Sequence, residues 1–248
     1  MTHSVYHDKK ITQSYTVLSY DCDRQQNIKI SSLQKLFQDA ADQHCINFGC
    51  DYNTLRNKYG VCFVLVKLSI NIFHPVKLNE QIELTTWHKG EKGVQYFRDF
   101  VIKDKKGTVL AEAGSSWVVI DPETHKMKRP SEANLPIEAC LTDNVDTSRL
   151  DKMHLPELEP VGEMKVRYTQ IDPNGHLTNW VYGDIVTDFL PDMKGMRVDE
   201  ADISFIAEAY ENETLKIFRG QKDGIFYFRG EHPRGKCFEA RVRLVKNI

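Results

Sequence analysis

Two stretches of the chain carry apolar residues at helical spacing, and segments of alternating apolar and polar residues follow each of them. The first stripe comprises Leu33, Leu36, Phe37, Ala40, Ala41, His44, Cys45 and Phe48. The second comprises Val181, Tyr182, Ile185, Val186 and Phe189. The spacing predicts two amphipathic helices. Ser31 or Ser32 is the expected N-cap of the first helix, and Thr178 or Asn179 that of the second.

The alternating segments predict strands, four after each helix. They are residues 61–73, 81–89, 94–104 and 109–121 in the first half, and 201–209, 213–221, 224–232 and 236–246 in the second. Segments 78–87 and 211–220 align at a constant offset, so that Ile82 matches Leu215. The chain is therefore predicted to be an internal duplication of one helix-plus-sheet module.

Between these halves, residues 121–160 lose periodicity, and charged and small polar residues there are interspersed with Pro130, Pro136, Pro156 and Pro160. Such a stretch predicts a connection between two units. The fold class is accordingly α+β, with an antiparallel sheet beside each helix. We expect an N-terminal module over residues 1–130, a linker over 131–160 and a C-terminal module over 161–248.

The densest chemistry lies just before the second helix, where Asp172, Asn174 and His176 alternate with Pro173 and Gly175. Residues two apart in an extended chain point the same way, so the three polar side chains are expected to face one spot. These residue types are also common turn formers, and a plain surface turn is the competing interpretation. The corresponding turn of the first half has no such pair of Asn and His, which favours chemistry in the second half and substrate enclosure in the first.

Composition indicates which classes of protein are not expected. The 248 residues are 41% hydrophobic and 27% charged, and no apolar run approaches the roughly 20 residues of a membrane span. The N-terminus lacks a signal-peptide core, so a cytoplasmic location is expected. Six cysteines are scattered without ligand spacing, and no Gly-rich phosphate loop occurs. We therefore expect no metal, no disulfide framework and no cofactor.

Charge is distributed unevenly along the chain. The net charge is -2, yet residues 216–248 contain nine Lys/Arg against three Asp/Glu, a net of +6. A basic face there would suit an acidic partner. Alternatively, Arg241 and Arg243 alternate with apolar residues as on the solvent face of a strand. Nucleic acid is not expected as a partner, because the net charge is negative and no recognition motif is present.

The residues of both halves resemble those of the acyl-acyl carrier protein thioesterases, from about Tyr15 to Val245. The family pattern D-x-N-x-H-V-N-N-x-x-Y is matched without a gap by Asp172, Asn174, His176, Leu177, Thr178, Asn179 and Tyr182. The family stretches R-D and W-V-x-x-N/D-x-x-T are matched by Arg98, Asp99, Trp117, Val118, Asp121 and Thr124. The resemblance implies a double hotdog fold, in which each module wraps its sheet round a long helix, and an acyl chain bound mainly in the N-terminal module.

The resemblance also implies hydrolysis of the thioester between a fatty acyl chain and acyl carrier protein, which ends fatty acid synthesis. The implied catalytic residues are Asp172, Asn174, His176 and Glu208. His176 would be the general base, Asn174 the donor to the thioester carbonyl, and Asp172 their positioning group. Glu208, expected on a strand, would either polarise water or attack as a nucleophile. Many relatives place a cysteine after this glutamate, whereas this chain has Ala209, so a cysteine nucleophile is not expected.

Three other functions compete with this one. Hydratases of the hotdog type carry D-x-N-P-x-H, in which the step from Asp to His is five, whereas the step from Asp172 to His176 is four. An acyl-CoA thioesterase shares the reacting group, and the basic C-terminal segment favours an acidic carrier over it. A non-catalytic acyl-binding protein would have no need of the four polar residues together. The expected partner is acyl carrier protein with a phosphopantetheine-linked acyl chain, and a homodimer is allowed.

Overall fold

A computed structural model describes residues 4–7, 9–145 and 152–247 of the chain. The first half contains β1 (Ser4–His7), β2 (Lys10–Thr16), α1 (Ile30–Asn47), α2 (Tyr52–Asn57), β3 (Cys62–Ile72), β4 (Gln81–Lys92), β5 (Gln95–Asp104), β6 (Val109–Ile120), β7 (Met127–Lys128) and α3 (Pro130–Ala133). The second half contains β8 (Glu159–Lys165), α4 (Val181–Asp188), β9 (Met196–Phe205), β10 (Thr214–Lys222), β11 (Ile225–His232) and β12 (Gly235–Lys246).

The described strands form one 12-stranded antiparallel sheet in the order β1-β2-β4-β5-β6-β3-β9-β12-β11-β10-β8, with β7 paired to β6. The order from β2 to β3 recurs in reverse from β9 to β8, so that β4 and β10 occupy equivalent places. This symmetry confirms the predicted duplication. The halves join where β3 pairs with β9, from Lys67 opposite Ser204 to Asn71 opposite Glu200.

Each half packs the apolar face of its helix against its part of the sheet, as predicted. The Phe37 ring of α1 lies 4.7 Å from the Phe100 ring of β5. The two helices also meet each other at Gly183 of α4. A Cβ atom at this position would lie 2.2 Å from Gln34 Oε1 and 3.0 Å from the backbone nitrogen of Ser31. Only glycine therefore allows this approach, which holds the two modules together beside the second helix.

Neither predicted helix cap is correct. Ser31 and Ser32 are buried in the first turn of α1, and the N-cap is Lys29, which makes no side-chain capping bond. Thr178 donates its hydroxyl to the Gln170 carbonyl at 2.9 Å, and α4 begins after Trp180. The small polar residues are used in contacts with neighbouring elements, which a local sequence pattern does not reveal.

Most predicted strands are present, with differences at their ends. Strand β4 extends to Lys92, beyond its predicted end at 89, with a bulge between His88 and Gly90. Strand β8 begins at Glu159, inside the predicted linker, and β9 ends at Phe205, before the predicted end at 209. The module boundaries themselves stay a prediction. Among the described helices, none has both the length and the apolar character that crossing a bilayer demands.

Candidate active site

A cavity of about 850 Å³ is lined by residues from both modules. The first half contributes residues of α1, α2 and β3 to β6, and the second half contributes the loop before α4, the segment after β9 and Arg234. All four residues singled out in the sequence line this cavity: Asp172, Asn174, His176 and Glu208. The fold thus brings titratable and amide side chains from two separate chain segments together in one wall of the cavity.

Residues 172–176 form a closed turn, so the expectation of an extended segment is wrong. The Asp172 N–H donates to the His176 carbonyl at 2.8 Å, and the Gly175 N–H donates to the Asp172 carbonyl at 3.0 Å. Gly175 has φ +86°, in the left-handed region that favours glycine. The turn interpretation is correct as to backbone, yet the turn still presents its polar side chains to the cavity.

The Asp172 carboxylate holds the turn and the Asn174 amide at the same time. Its Oδ1 accepts the backbone N–H groups of Asn174 and His176 at 2.8 and 3.1 Å. Its Oδ2 accepts from Asn174 Nδ2 at 3.3 Å. From the sequence, Asp172 could either cap the turn or position its neighbours. In the structure its carboxylate does both.

The amide oxygen of Asn174 is held from the other module, by α2. The Tyr52 hydroxyl donates to Asn174 Oδ1 at 3.0 Å, and the Arg56 guanidinium donates to the same oxygen. The Arg56 guanidinium also lies over the Tyr52 ring, 4.8 Å from its centroid. With Oδ1 occupied by these donors and one Nδ2 hydrogen directed to Asp172, the second Nδ2 hydrogen is left for a further acceptor.

Sequence reasoning missed α2 and therefore missed Tyr52 and Arg56. The signal was present in Asp51, whose carboxylate caps the helix by accepting the N–H groups of Asn53 and Thr54. A helix of six residues has too few positions to show a 3.6-residue period.

His176 and Glu208 face each other across the cavity wall, with His176 Nε2 3.5 Å from Glu208 Oε2. Both side chains are partly buried, 23% and 29% exposed. A backbone bond from the Leu177 N–H to the Ala209 carbonyl, 2.8 Å long, ties the two segments together. Glu208 lies in the connection after β9, so its predicted place on a strand is wrong. The pairing of β9 ends because the N–H groups of Ile206 and Ala207 both turn to the Cys237 carbonyl.

Hydrogen bonds from Tyr210 and Arg234 hold Glu208 in place. The Tyr210 hydroxyl donates to Glu208 Oε2 at 3.0 Å, and Arg234 donates to the Glu208 backbone carbonyl at 2.7 Å. Burial, then the hydrogen bond to Glu208, raises the pKa of Tyr210, so its hydroxyl stays a donor. Glu213 forms an ion pair with Arg234 at 3.0 Å, and that bond lowers the pKa of Glu213.

One cysteine reaches the cavity close to these groups. Cys62 at the start of β3 lines the wall and lies within electrostatic reach of Glu208 and Arg56. Burial raises the pKa of the Cys62 thiol; the charge of Arg56 lowers it and that of Glu208 raises it. A thiol held neutral is a weak nucleophile. Cys62 comes from a strand far from Glu208 in the chain, and its neutral thiol is likewise not expected to be the nucleophile.

The basic C-terminal segment is largely neutralised within the sheet. Its ion pairs are Arg229 with Glu231, Arg234 with Glu213, Lys236 with Glu239, Arg241 with Asp202, and Arg243 with Asp199 and Glu200. Several of these carboxylates lie outside residues 216–248, which is why the sequence count suggests more free positive charge than the surface has. The segment is therefore a weaker candidate for docking an acidic partner than its composition implies.

Comparison with known proteins gives a matching family model and curated relatives. Residues 8–133, slightly more than half of the chain, match the family model described as the acyl-ACP thioesterase N-terminal domain. The chain is 24% identical over 197 residues to the chloroplastic oleoyl-acyl carrier protein thioesterase 2 of Arabidopsis thaliana, covering 72% of this chain and 53% of that protein. It is 25% identical over 184 residues to a chloroplastic acyl-[acyl-carrier-protein] hydrolase of Cuphea viscosissima, covering 68% and 44%. The chain thus spans about half the length of these relatives.

Solved structures agree on the fold. An acyl-ACP thioesterase from Bacteroides thetaiotaomicron superposes with a TM-score of 0.84 at 19% identity, covering 97% of this chain and 100% of that one. The 12:0-ACP thioesterase from Umbellularia californica gives 0.85 at 15% identity, covering 98% and 100%. These likenesses confirm the predicted double hotdog fold. Together with the match over residues 8–133, they place the chain in the acyl-ACP thioesterase family.

Proposed function

We propose that this protein hydrolyses the thioester of fatty acyl-acyl carrier protein and releases the free fatty acid. The observation that carries the proposal is the pairing of His176 and Glu208 at 3.5 Å in the wall of a cavity of about 850 Å³. A cavity of this size suits an acyl chain. The printed names of the curated relatives, which are thioesterases and hydrolases of acyl carrier protein esters, support the same reaction.

Water is the proposed nucleophile. The distance between His176 Nε2 and Glu208 Oε2 exceeds a normal hydrogen bond, so one water molecule can contact both atoms. His176 takes a proton from this water as its oxygen adds to the thioester carbonyl carbon, and returns the proton to the sulfur as the C–S bond breaks. Glu208 orients the water. Its Oε2 already accepts from Tyr210, which makes direct attack by that oxygen less favourable.

Asn174 is the proposed donor to the carbonyl oxygen as negative charge develops there. Tyr52 and Arg56 hold its amide oxygen, and Asp172 holds one of its two N–H groups. Donors fixed before the reaction stabilise developing charge without reorganising. Arg56 also draws electron density toward the amide oxygen, which strengthens the N–H groups as donors.

The two thioesterase alternatives differ in the carrier of the acyl chain, which is either acyl carrier protein or CoA. We propose acyl carrier protein, in line with the names of the relatives, while the paired charges of the C-terminal strands add little support. A cytoplasmic location and a homodimer stay predictions. The test follows free thiol release from acyl-acyl carrier protein and from the matching acyl-CoA over a range of chain lengths. At least tenfold higher kcat/KM with the carrier protein supports the proposal, and equal or higher kcat/KM with CoA overturns the choice of carrier.

Tyr52 offers a test of how Asn174 is held. Replacing it with phenylalanine removes one hydrogen bond to Asn174 Oδ1, a change of about 0.5–1.5 kcal/mol. We expect a two- to tenfold fall in kcat with KM almost unchanged. The control is Tyr20→Phe at an exposed position away from the cavity. An unchanged kcat in Tyr52→Phe would show that the contact does not support the reaction.

In contrast to Tyr52, substitution of Cys62 is expected to leave activity almost unchanged. Because its partly buried thiol is held neutral, Cys62→Ser should retain wild-type kcat within about threefold. The measurement is thiol release at saturating substrate, with thermal unfolding recorded for both proteins. A loss of a hundredfold or more in a well-folded variant would assign the thiol a chemical role and contradict water as the nucleophile.

A further inference from the structure

The inner wall of the N-terminal module changes from apolar to polar along the strands. On β5, Tyr96, Arg98 and Phe100 alternate onto the inner face, and each lines the cavity. Phe100 packs on Phe37 of α1, in the apolar part of the wall. Arg98 lies two residues away on the same face, opposite His88 of β4. This half of the cavity is therefore not the purely apolar enclosure expected from the α1 stripe.

Arg98 is a buried cation whose described partners are all neutral. It is 6% exposed. One terminal nitrogen bonds His44 Nδ1 at 2.9 Å and Thr86 Oγ1 at 3.3 Å, and the other lies 3.9 Å from Cys45 Sγ. The ring of His44 accepts this bond in its neutral form, since burial and then the charge of Arg98 lower the pKa of His44 to about 3. Within the described residues, no carboxylate lies at ion-pair distance from the guanidinium.

The nearest acidic partner, Asp42, lines the same cavity from α1. Gln38, Asp42 and Cys45 follow one another on one helix face, which borders the cavity. Asp42 accepts from Gln38 Nε2 at 2.8 Å. Asp42 is exposed, yet the protein atoms around its carboxylate raise its pKa, while the hydrogen bond from Gln38 and the charge of Arg98 lower it. The charges of Arg98 and Asp42 thus interact, although the two side chains form no hydrogen bond or ion pair with each other.

A donor and an acceptor that line one cavity without meeting can be bridged by one ligand group that serves both. An alkyl chain packed against the buried Arg98 would leave its remaining N–H groups unpaired, which is unfavourable. A hydroxyl group fits, because its oxygen accepts from Arg98 while its hydrogen is donated to Asp42. Arginine keeps unused N–H groups for this purpose, having five in all.

We propose that this part of the cavity binds a hydroxyl group carried on the acyl chain remote from the thioester, so that hydroxylated fatty acyl thioesters are preferred substrates. The proposal rests on the proposed thioesterase function. In the sheet, β5 is three strands from β9, whose end leads to Glu208, or about 14 Å along the sheet. The preferred hydroxyl is accordingly far from the carbonyl and not on the carbons next to it.

The test compares acyl-acyl carrier proteins of one chain length that are unsubstituted or carry a hydroxyl at successive positions. A hydrogen bond to a charged group predicts a kcat/KM about ten- to hundredfold higher for the best remote hydroxyl. Arg98→Met and, independently, Asp42→Asn should reduce this preference to within threefold while unsubstituted chains are still hydrolysed. Asp39→Asn, one turn from Asp42 and outside the cavity lining, is the control and should keep the preference.

Binding of free hydroxylated and unsubstituted fatty acids, measured by calorimetry on the wild type and on Asp42→Asn, gives a readout without turnover. Tighter binding of the hydroxylated acid that Asp42→Asn removes supports the inference. Hydrolysis of all chains with no preference for a hydroxyl, together with equal binding, overturns it and leaves the thioesterase proposal standing. A hydroxyl preference in binding without any hydrolysis would support the site and overturn the thioesterase function.

Discussion

Replacing His176 with alanine is expected to lower kcat/KM for acyl-acyl carrier protein by about 10²- to 10⁴-fold, the range for loss of a positioned general base. The imidazole faces Glu208 at 3.5 Å, and its ring is fixed between the 172–176 turn and Tyr210, whose ring lies 5.4 Å away edge to face. Alanine removes the proton acceptor and leaves the turn intact, because the turn is closed by backbone bonds and by Asp172. The measurement is thiol release under identical conditions for both proteins.

His154→Ala is the matched control, since this histidine is exposed and does not line the cavity. It should keep wild-type activity within twofold. A His176→Ala variant that folds and retains more than about a tenth of the wild-type rate would show that another group accepts the proton. The mechanism proposed for the cavity would then be wrong at its first step.

The second large effect is expected at Asn174. Removing one donor to a developing oxyanion typically lowers kcat by about 10²- to 10³-fold. Asn174→Ala should fall in this range with a much smaller change in KM, because the amide acts on charge that exists only in the transition state. The variant also frees Tyr52 and Arg56 from their contact with the amide oxygen. Steady-state kinetics over a full substrate range separates kcat from KM.

The control for Asn174→Ala is Asn53→Ala, at an exposed position on α2. A rise in KM with kcat unchanged in Asn174→Ala would contradict the assignment, since it would mark the amide as a ground-state binding group. Comparison with Tyr52→Phe adds a further check. The loss in the double variant should not exceed that of Asn174→Ala alone, because Tyr52 acts through the amide.

Sequence periodicity predicts the helix-plus-sheet module and its duplication, but not that the two halves share one continuous sheet. The stripe from Leu33 to Phe48 and the alternating segments after it predict a helix on an antiparallel sheet, because burial of one face imposes these periods. The match of Ile82 with Leu215 predicts the duplication that β4 and β10 display. What periodicity does not determine is the end of each element, as Glu208 shows: backbone bonds to Cys237, far away in the chain, end β9 before it.

The residues of the candidate site stay a prediction, and their geometry was predictable only in part. A motif identifies Asp172, Asn174 and His176 because all three lie in one short turn. The groups that hold them come from distant positions, Tyr52 and Arg56 on a helix too short to show a period, and Arg234 on the turn between β11 and β12. Such contacts depend on how the two modules pack, which no local pattern encodes.

The buried polar groups of the first half show the same limit. His44 lies on the apolar stripe of α1, and the fold pairs its Nδ1 with Arg98. The pattern gives no sign that Arg98 has only neutral partners or that Asp42 lines the same space. Both facts arise from the packing of α1 across β5 and were visible only in the fold.

We propose that acyl-acyl carrier protein is hydrolysed at the cavity wall formed by His176 and Glu208. The most direct measurement is thiol release from this substrate by wild type, Glu208→Gln and the exposed control Glu211→Gln, each checked for folding by circular dichroism. We expect multiple turnovers by wild type and Glu211→Gln, and at least a hundredfold lower rate for Glu208→Gln. Equal rates for all three proteins, or no release by folded wild type, would contradict the claim.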